Sequence, residues 1–133
     1  MKVTIMTSKV FYDSYAILAF LQGDTQYKKI FEKSEGLTTY FQLMEVYYCI
    51  LKNHSKQKAD LILKRFSELL IEPELEDISL AMQFRHNNKK KKFSYADALG
   101  FIIAQRLNVA FVTGDESFKD VENVLFIKEN TRL

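Results

Sequence analysis

Four carboxylates stand where a folded chain can bring them together: Asp13 after the apolar run VFY, Glu45 inside FQLMEVYYCILKN, Asp97 at the head of SYADALGFIIAQRLN, and Asp115 after VAFVTG. Like charges crowded at one place repel, so such a cluster is stabilised by a cation or by protonation of some members. Oxygen donors with neither cysteine nor paired histidine select a hard ion, Mg²⁺ or Mn²⁺. Such ions act as Lewis acids and lower the pKa of a bound water, which is the chemistry of hydrolysis.

Each acid also has a plainer reading. Asp13 and Asp115 suit helix N-caps, and SYAD is a capping-box pattern in which Ser94 caps and Asp97 reaches back. Glu45 reads as an ordinary solvated helix residue. Capping does not explain why four acids should meet. Other chemistries lack residues: His54 and His86 have no zinc-site spacing to each other or to Cys49, and the chain has neither a Gly-rich phosphate loop nor a nucleophile elbow.

The elements that must position the acids follow from periodicity. KVFY before Asp13 is a short strand, and SYAILAFLQG after it carries helical spacing through Ile17, Leu18 and Leu21 to a stop at Gly23. A second helix covers about Thr25 to Ser34. GLTTY, Gly36 to Tyr40, is a strand candidate. The next helix puts Phe41, Met44, Tyr48 and Leu51 on one stripe. A long helix runs from about Ser55 to Leu69, LLIEP is a third strand candidate cut by Pro73, and LEDISLAMQFRHN is amphipathic through Leu75, Ile78, Met82 and Phe84. After HNNKKKK come the SYADALG helix, the VAFVT strand, a turn at Gly114 and a last strand, Val124 to Ile127.

Short apolar strands alternating with helices imply a parallel sheet with helices on both faces, an α/β/α sandwich. Ligands in such sheets bind outside the carboxyl ends of the strands. Asp13 and Asp115 then share one edge, the helix bearing Asp97 begins at that edge, and Glu45 projects towards it from the flank of its helix.

Composition bounds the rest. The 133 residues are 47% hydrophobic and 14% aromatic, enough for one domain spanning residues 1–133 with its own core. A single cysteine, Cys49 in VYYCIL, forms no internal disulfide and reads as a buried reduced thiol. YAILAFL is about one-third of a bilayer-spanning length. A soluble, cytoplasmic protein with no membrane association is expected. The net charge is +2, so any nucleic-acid contact must be a local patch. Lys89, Lys90, Lys91 and Lys92 are the one candidate for phosphate contacts, set against a solvated loop, the commoner fate of a charge run.

VFYDSYAI, TTYFQLMEVYY, SYADALGFIIAQRLN and FVTGDESF resemble, in order and spacing, the four acidic motifs of the PIN-domain nucleases, and the short chain is similar to the VapC-type toxins of toxin–antitoxin pairs. The resemblance covers nearly the whole chain. It implies a central parallel sheet with strand order 3-2-1-4-5, and Mg²⁺- or Mn²⁺-dependent cleavage of RNA by an endoribonuclease whose acids are Asp13, Glu45, Asp97 and Asp115. Asp13 and Asp97 are the strongest candidates for direct metal ligands, Asp115 is next, and Glu45 ligates directly or through water. Ser14 and Thr113 would orient ligands or waters. The partners implied are RNA, a small antitoxin protein and a second copy of the chain, with Tyr47 and Tyr48 packed into that copy. Two departures stand out. Many relatives carry an acid or Asn two residues after the fourth motif acid, where this chain has Ser117, with Glu116 and Asp120 as nearby substitutes; and the MKVTIMTSK leader delays the first strand, making Met6 an alternative start.

Rival readings are a housekeeping RNA-processing nuclease, a catalytically inactive interaction module of the same fold, and a receiver-like Mg²⁺-binding signalling module. A receiver needs adjacent acids after the first strand and a phosphoacceptor Asp after the third, whereas this chain has a lone Asp13 and then LLIEPE. A haloacid-type phosphatase would need Asp-x-Asp where the sequence reads DSY.

Overall fold

The computed structural model describes residues 8–129; the alternative start Met6 lies outside them. The order is β1 (Ser8–Tyr12), α1 (Ser14–Leu21), α2 (Thr25–Lys33), β2 (Ser34–Leu37), α3 (Tyr40–Asn53), α4 (Lys56–Phe66), α5 (Leu75–Asn87), α6 (Tyr95–Arg106), β3 (Ala110–Thr113) and β4 (Val124–Phe126), with short 3-10 turns at Ser67–Leu69, Lys89–Lys91 and Glu116–Phe118.

All strand pairings are parallel, in the order β2-β1-β3-β4, with Phe11 opposite both Leu37 and Phe111. The period of two along β1 and β3 divides the core. Val10, Tyr12 and Val112 pack with α1, α2, α3 and α4 on one face, while Phe11 and Phe111 pack with α5 and α6 on the other. Strands buried on both faces read as continuous apolar runs, as VFY and FV do. The expected α/β/α sandwich is what the chain forms.

The fifth strand is reduced to one contact. Leu70, in the expected third strand, makes only a single parallel bridge to Thr38, outside β2. Its bonds are Thr38 N–H to Leu69 O and Ile71 N–H to Thr38 O. The 3-10 turn before it and Pro73 after it leave no room for a longer ladder. The remaining strands keep the expected relative order. GLTTY likewise shifts: β2 ends at Leu37, and Thr39 caps α3 by accepting from Phe41 N–H.

On two helices the apolar stripe read from periodicity is not the face turned inward. Phe41, Met44, Tyr48 and Leu51 are exposed, and the buried face of α3 is Gln42, Leu43, Val46 and Ile50. Both sets have helical spacing, so periodicity alone does not choose between them. On α5, Leu75 and Ile78 are exposed, Met82 and Phe84 are half-buried, and Asp77 and Ala81 face inward. Cys49 is free and only half-buried. Both histidines are exposed. No described helix is long and apolar enough to cross a membrane.

Candidate active site

The sheet's carboxyl edge gathers the acids. Asp13 follows β1 directly, and its N–H donates to Val112 O of β3 at 3.1 Å, which locks it against the neighbouring strand. It occupies the N-cap position of α1, yet its side chain caps nothing. Instead Oδ2 accepts from Thr113 Oγ1 at 2.7 Å, and Oδ1 is buried without a hydrogen-bond partner among the described residues. At 1% exposure this is a carboxylate oxygen cut off from water. Such a group is costly unless a cation or proton meets it.

Asp97 lies in the first turn of α6 and closes a capping box: Ser94 N–H donates to Asp97 Oδ2 at 2.8 Å, and Asp97 N–H donates to Ser94 Oγ at 3.0 Å. The capping reading is therefore correct as geometry, and it leaves Asp97 facing the same cavity as the other acids. Asp115 caps the turn after β3 by accepting from Ser117 N–H at 2.9 Å, while its own N–H donates to Thr113 Oγ1 at 3.1 Å. Gly114 between them is obligatory, since a Cβ there would stand 2.3 Å from both Ile127 O and the Tyr15 ring. Glu45, half-buried on α3, accepts from Ser14 Oγ at 2.7 Å.

Asp13, Glu45, Asp97 and Asp115 line one open cavity of about 450 Å³ with Ser14, Ser94, Tyr48 and Lys52. Their mutual fields are strong. Burial first, then the negative charge of Asp97, hold the Asp13 carboxyl well above its usual value, while the Thr113 hydroxyl opposes the shift. Burial likewise pushes Asp97 up to about 6, aided by Glu45 and Asp115 and resisted by the Ser94 bonds. Such shifts follow from buried carboxylates crowded together without a counter-charge. The donor set fits a hard divalent cation: carboxylate oxygens only, one of them buried without a partner. Among the described residues no three of these donors form a ready-made ligand shell, so the fit rests on that oxygen and on the shared cavity.

A match to the PIN-domain family model extends over residues 10–124, from β1 to the first residue of β4. The chain belongs to the PIN-domain family. Solved structures with the same fold include a toxin–antitoxin complex from Klebsiella pneumoniae (18% identity, TM-score 0.72, covering 91% of this chain and 99% of that one). Another is Mycobacterium tuberculosis VapC20, described as a toxin cleaving the sarcin–ricin loop (15% identity, TM-score 0.75, covering 90% and 98%). A third is VapBC2 from Rickettsia felis bound to a promoter DNA fragment (17% identity, TM-score 0.70, covering 92% and 99%). No curated protein sequence matches the chain.

Two residues of this PIN-domain site escaped sequence reading. Gln42, fully buried, accepts from Thr39 Oγ1 and donates to Ala96 O at 2.6 Å, tying the helix of Glu45 to the first turn of the helix of Asp97. Gly100 makes room for it, since a Cβ there would lie 2.6 Å from Gln42 Nε2. No local pattern marks a glutamine whose partner is 54 residues away. Lys52 is the second. It lines the acid cavity with its Nζ 5.3 Å from the Tyr48 ring centroid. It sits about two turns beyond Glu45 on the same helix, and that spacing is a usable signal. Of the lysine run, none lines the acid cavity.

Proposed function

We propose that this PIN domain is a metal-dependent endoribonuclease acting as the toxin of a toxin–antitoxin pair. The observation that carries the reading is the buried, unpartnered Asp13 Oδ1 in a cavity shared with Glu45, Asp97 and Asp115. The toxin role is supported by the likeness in fold to the toxin structures above. Asp13, Asp97 and Asp115 would hold Mg²⁺ or Mn²⁺ directly, with Glu45 completing the set. Held there, such an ion would supply Lewis-acid polarisation of the scissile phosphate and would lower the pKa of a bound water.

The chain's own residues do the rest. Thr113 fixes Asp13 by hydrogen-bonding one oxygen and leaves the other available. Ser14 holds Glu45 from the adjoining helix, so each acid keeps its orientation without a substrate present. Lys52 at the rim offsets the repulsion between acids and incoming phosphate, and Lys89, Lys90, Lys91 and Lys92 add positive charge for the flanking backbone. Hydrolysis forms one bond from water oxygen to phosphorus and releases one ribose oxygen, which takes up a proton.

Purified protein should therefore cleave single-stranded RNA in Mg²⁺ or Mn²⁺, without zinc, and stop when the ion is chelated. Cleavage that survives exhaustive chelation would end the metal reading.

Partner surfaces fit the same proposal. Tyr40, Met44, Tyr48 and Leu61 are all more than half exposed on α3 and α4, and Tyr40, Leu43, Met44, Tyr47 and Leu63 line an almost wholly apolar hollow of about 460 Å³. A monomer rarely exposes so contiguous an apolar face. It suits a second copy of the chain, and a small antitoxin protein is the further partner of the toxin role. Light scattering should give a homodimer at micromolar concentration, and a monomer there would contradict this.

A further inference from the structure

Beside the acids lies a second cavity of about 340 Å³ with different chemistry, lined by Arg85, His86, Lys89, Lys92, Phe93 and Tyr95. Among the described residues no carboxylate lines it. We propose that this cavity is a nucleotide subsite, which takes one base of single-stranded RNA against Tyr95 and Arg85 and its phosphate against Lys89 and Lys92. The proposal rests on the ribonuclease reading above for its substrate.

The platform for the base is already assembled. Tyr95 is 68% exposed, and the Arg85 guanidinium carbon stands 4.7 Å from its ring centroid. An exposed phenol ring with a planar cation over one face leaves its other face as a stacking surface that accepts any base. Arg85 is not free to wander, because its Nε donates to Phe93 O at 2.8 Å. The floor is packed as well: Phe93 is buried, stacked on Phe84 at 5.0 Å and tilted against Phe118 at 4.4 Å.

The backbone of the lysine turn is fixed. Lys89–Lys91 form a 3-10 turn, and Lys92 takes a left-handed conformation at φ 58° that reverses the chain into Phe93. Ser117 Oγ donates to Lys91 O at 2.8 Å, while Ser117 N–H donates to Asp115 Oδ1. One residue thus ties the lysine turn to an acid of the active site. The run is also divided by this geometry: Lys89 and Lys92 line the cavity, and Lys90 and Lys91 do not. Continuity with the acids is direct, since Ser94 lines the acid cavity and its neighbours Phe93 and Tyr95 line this one. A strand with its scissile phosphate at the acids can therefore continue onto a stacking surface and two cations.

Binding of a fluorescently labelled single-stranded RNA to the full chain, by anisotropy in chelator over a range of salt, separates the parts. Tyr95→Ala should weaken binding roughly tenfold or more with the salt slope unchanged, since stacking releases no counterions. Lys89→Ser with Lys92→Ser should flatten the slope by about 0.7, the release from one phosphate, and Lys90→Ser with Lys91→Ser should flatten it less. All these side chains are exposed, and unchanged melting temperatures would establish that the variants fold. Wild-type affinity in Tyr95→Ala, an equal effect of the two lysine pairs, or no RNA binding by the wild type would overturn the subsite. So would competition by polyglutamate as strong as that by unlabelled RNA, which would make the cavity a plain anion site. Metal-dependent cleavage by the same proteins in Mg²⁺ without chelator reports on the ribonuclease reading separately. Cleavage with indifferent Tyr95 and lysine variants removes the subsite alone, and the predicted binding losses without any cleavage remove the nuclease and keep the subsite.

Discussion

Asp97→Asn should lower single-turnover RNA cleavage in saturating Mg²⁺ by roughly 10²–10³-fold, the scale of losing one preorganised electrostatic group, and should stabilise the metal-free protein. The two effects have one cause. An asparagine amide oxygen can still accept from Ser94 N–H, so the capping box survives, while the charge that repels Asp13, Glu45 and Asp115 is gone. The carboxyl of Asp97 is pushed from 3.8 to about 6 by burial and by its acidic neighbours. A folded-state pKa above the unfolded value means that the charged form is penalised in the fold. The penalty is complete above about pH 6 and is relieved as the pH falls towards 3.8. In chelator, the wild type should therefore melt at a higher temperature at pH 5 than at pH 8, and Asp97→Asn should exceed it at pH 8 by on the order of 2 kcal/mol. Added Mg²⁺ should stabilise the wild type at pH 8 more than the variant. A destabilised variant that still cleaves at close to the wild-type rate would reduce Asp97 to a cap.

That acid was legible in the sequence, and the reason is topological. In a parallel sheet with alternating helices, a residue after a strand and a residue in the first turn of a helix are assigned to the same edge whatever the detailed packing. Asp13, Asp97 and Asp115 needed only that rule, and VFY and FV, buried on both faces, supplied the strands. Glu45 needed more, because the apolar residues of α3 form two stripes of equal spacing. The chain buries Leu43, Val46 and Ile50 and leaves Phe41, Met44 and Tyr48 exposed. The choice is made by what packs opposite, which no single-helix pattern contains. The same limit explains α5, whose inward face is organised by a charge.

That charge is Asp77, and Arg106→Met is expected to produce a large loss of stability away from the acid site. Asp77 is 1% exposed, and the Arg106 guanidinium grips it with two parallel bonds, Nε to Oδ1 and Nη2 to Oδ2, both 2.8 Å. Glu74 lies a further 3.3 Å from the same guanidinium. The pair fastens α5 to the last turn of α6, the helix whose first turn presents Asp97. Removing the arginine leaves a buried carboxylate whose remaining partner is Glu74 N–H at 2.8 Å, which costs about 3 kcal/mol or more and lowers the melting temperature by roughly 10 °C. The pH dependence identifies the cause. Hydrogen bonding by Arg106 holds the Asp77 carboxyl below 3.8, so in the wild type its contribution is present above that value and is lost as the pH falls through the lowered folded-state pKa. In the variant the carboxylate has no cation to meet, its protonation in the fold becomes favourable, and the gap between variant and wild type should narrow on acidification from pH 7 towards 4. Asp77→Leu combined with Arg106→Met should recover most of the loss, because two apolar side chains leave no charge stranded. Chemical denaturation of the three proteins at pH 7 and pH 4.5 decides it: a constant gap between variant and wild type, or a double variant no better than the single, would mean that Arg106 acts by packing alone.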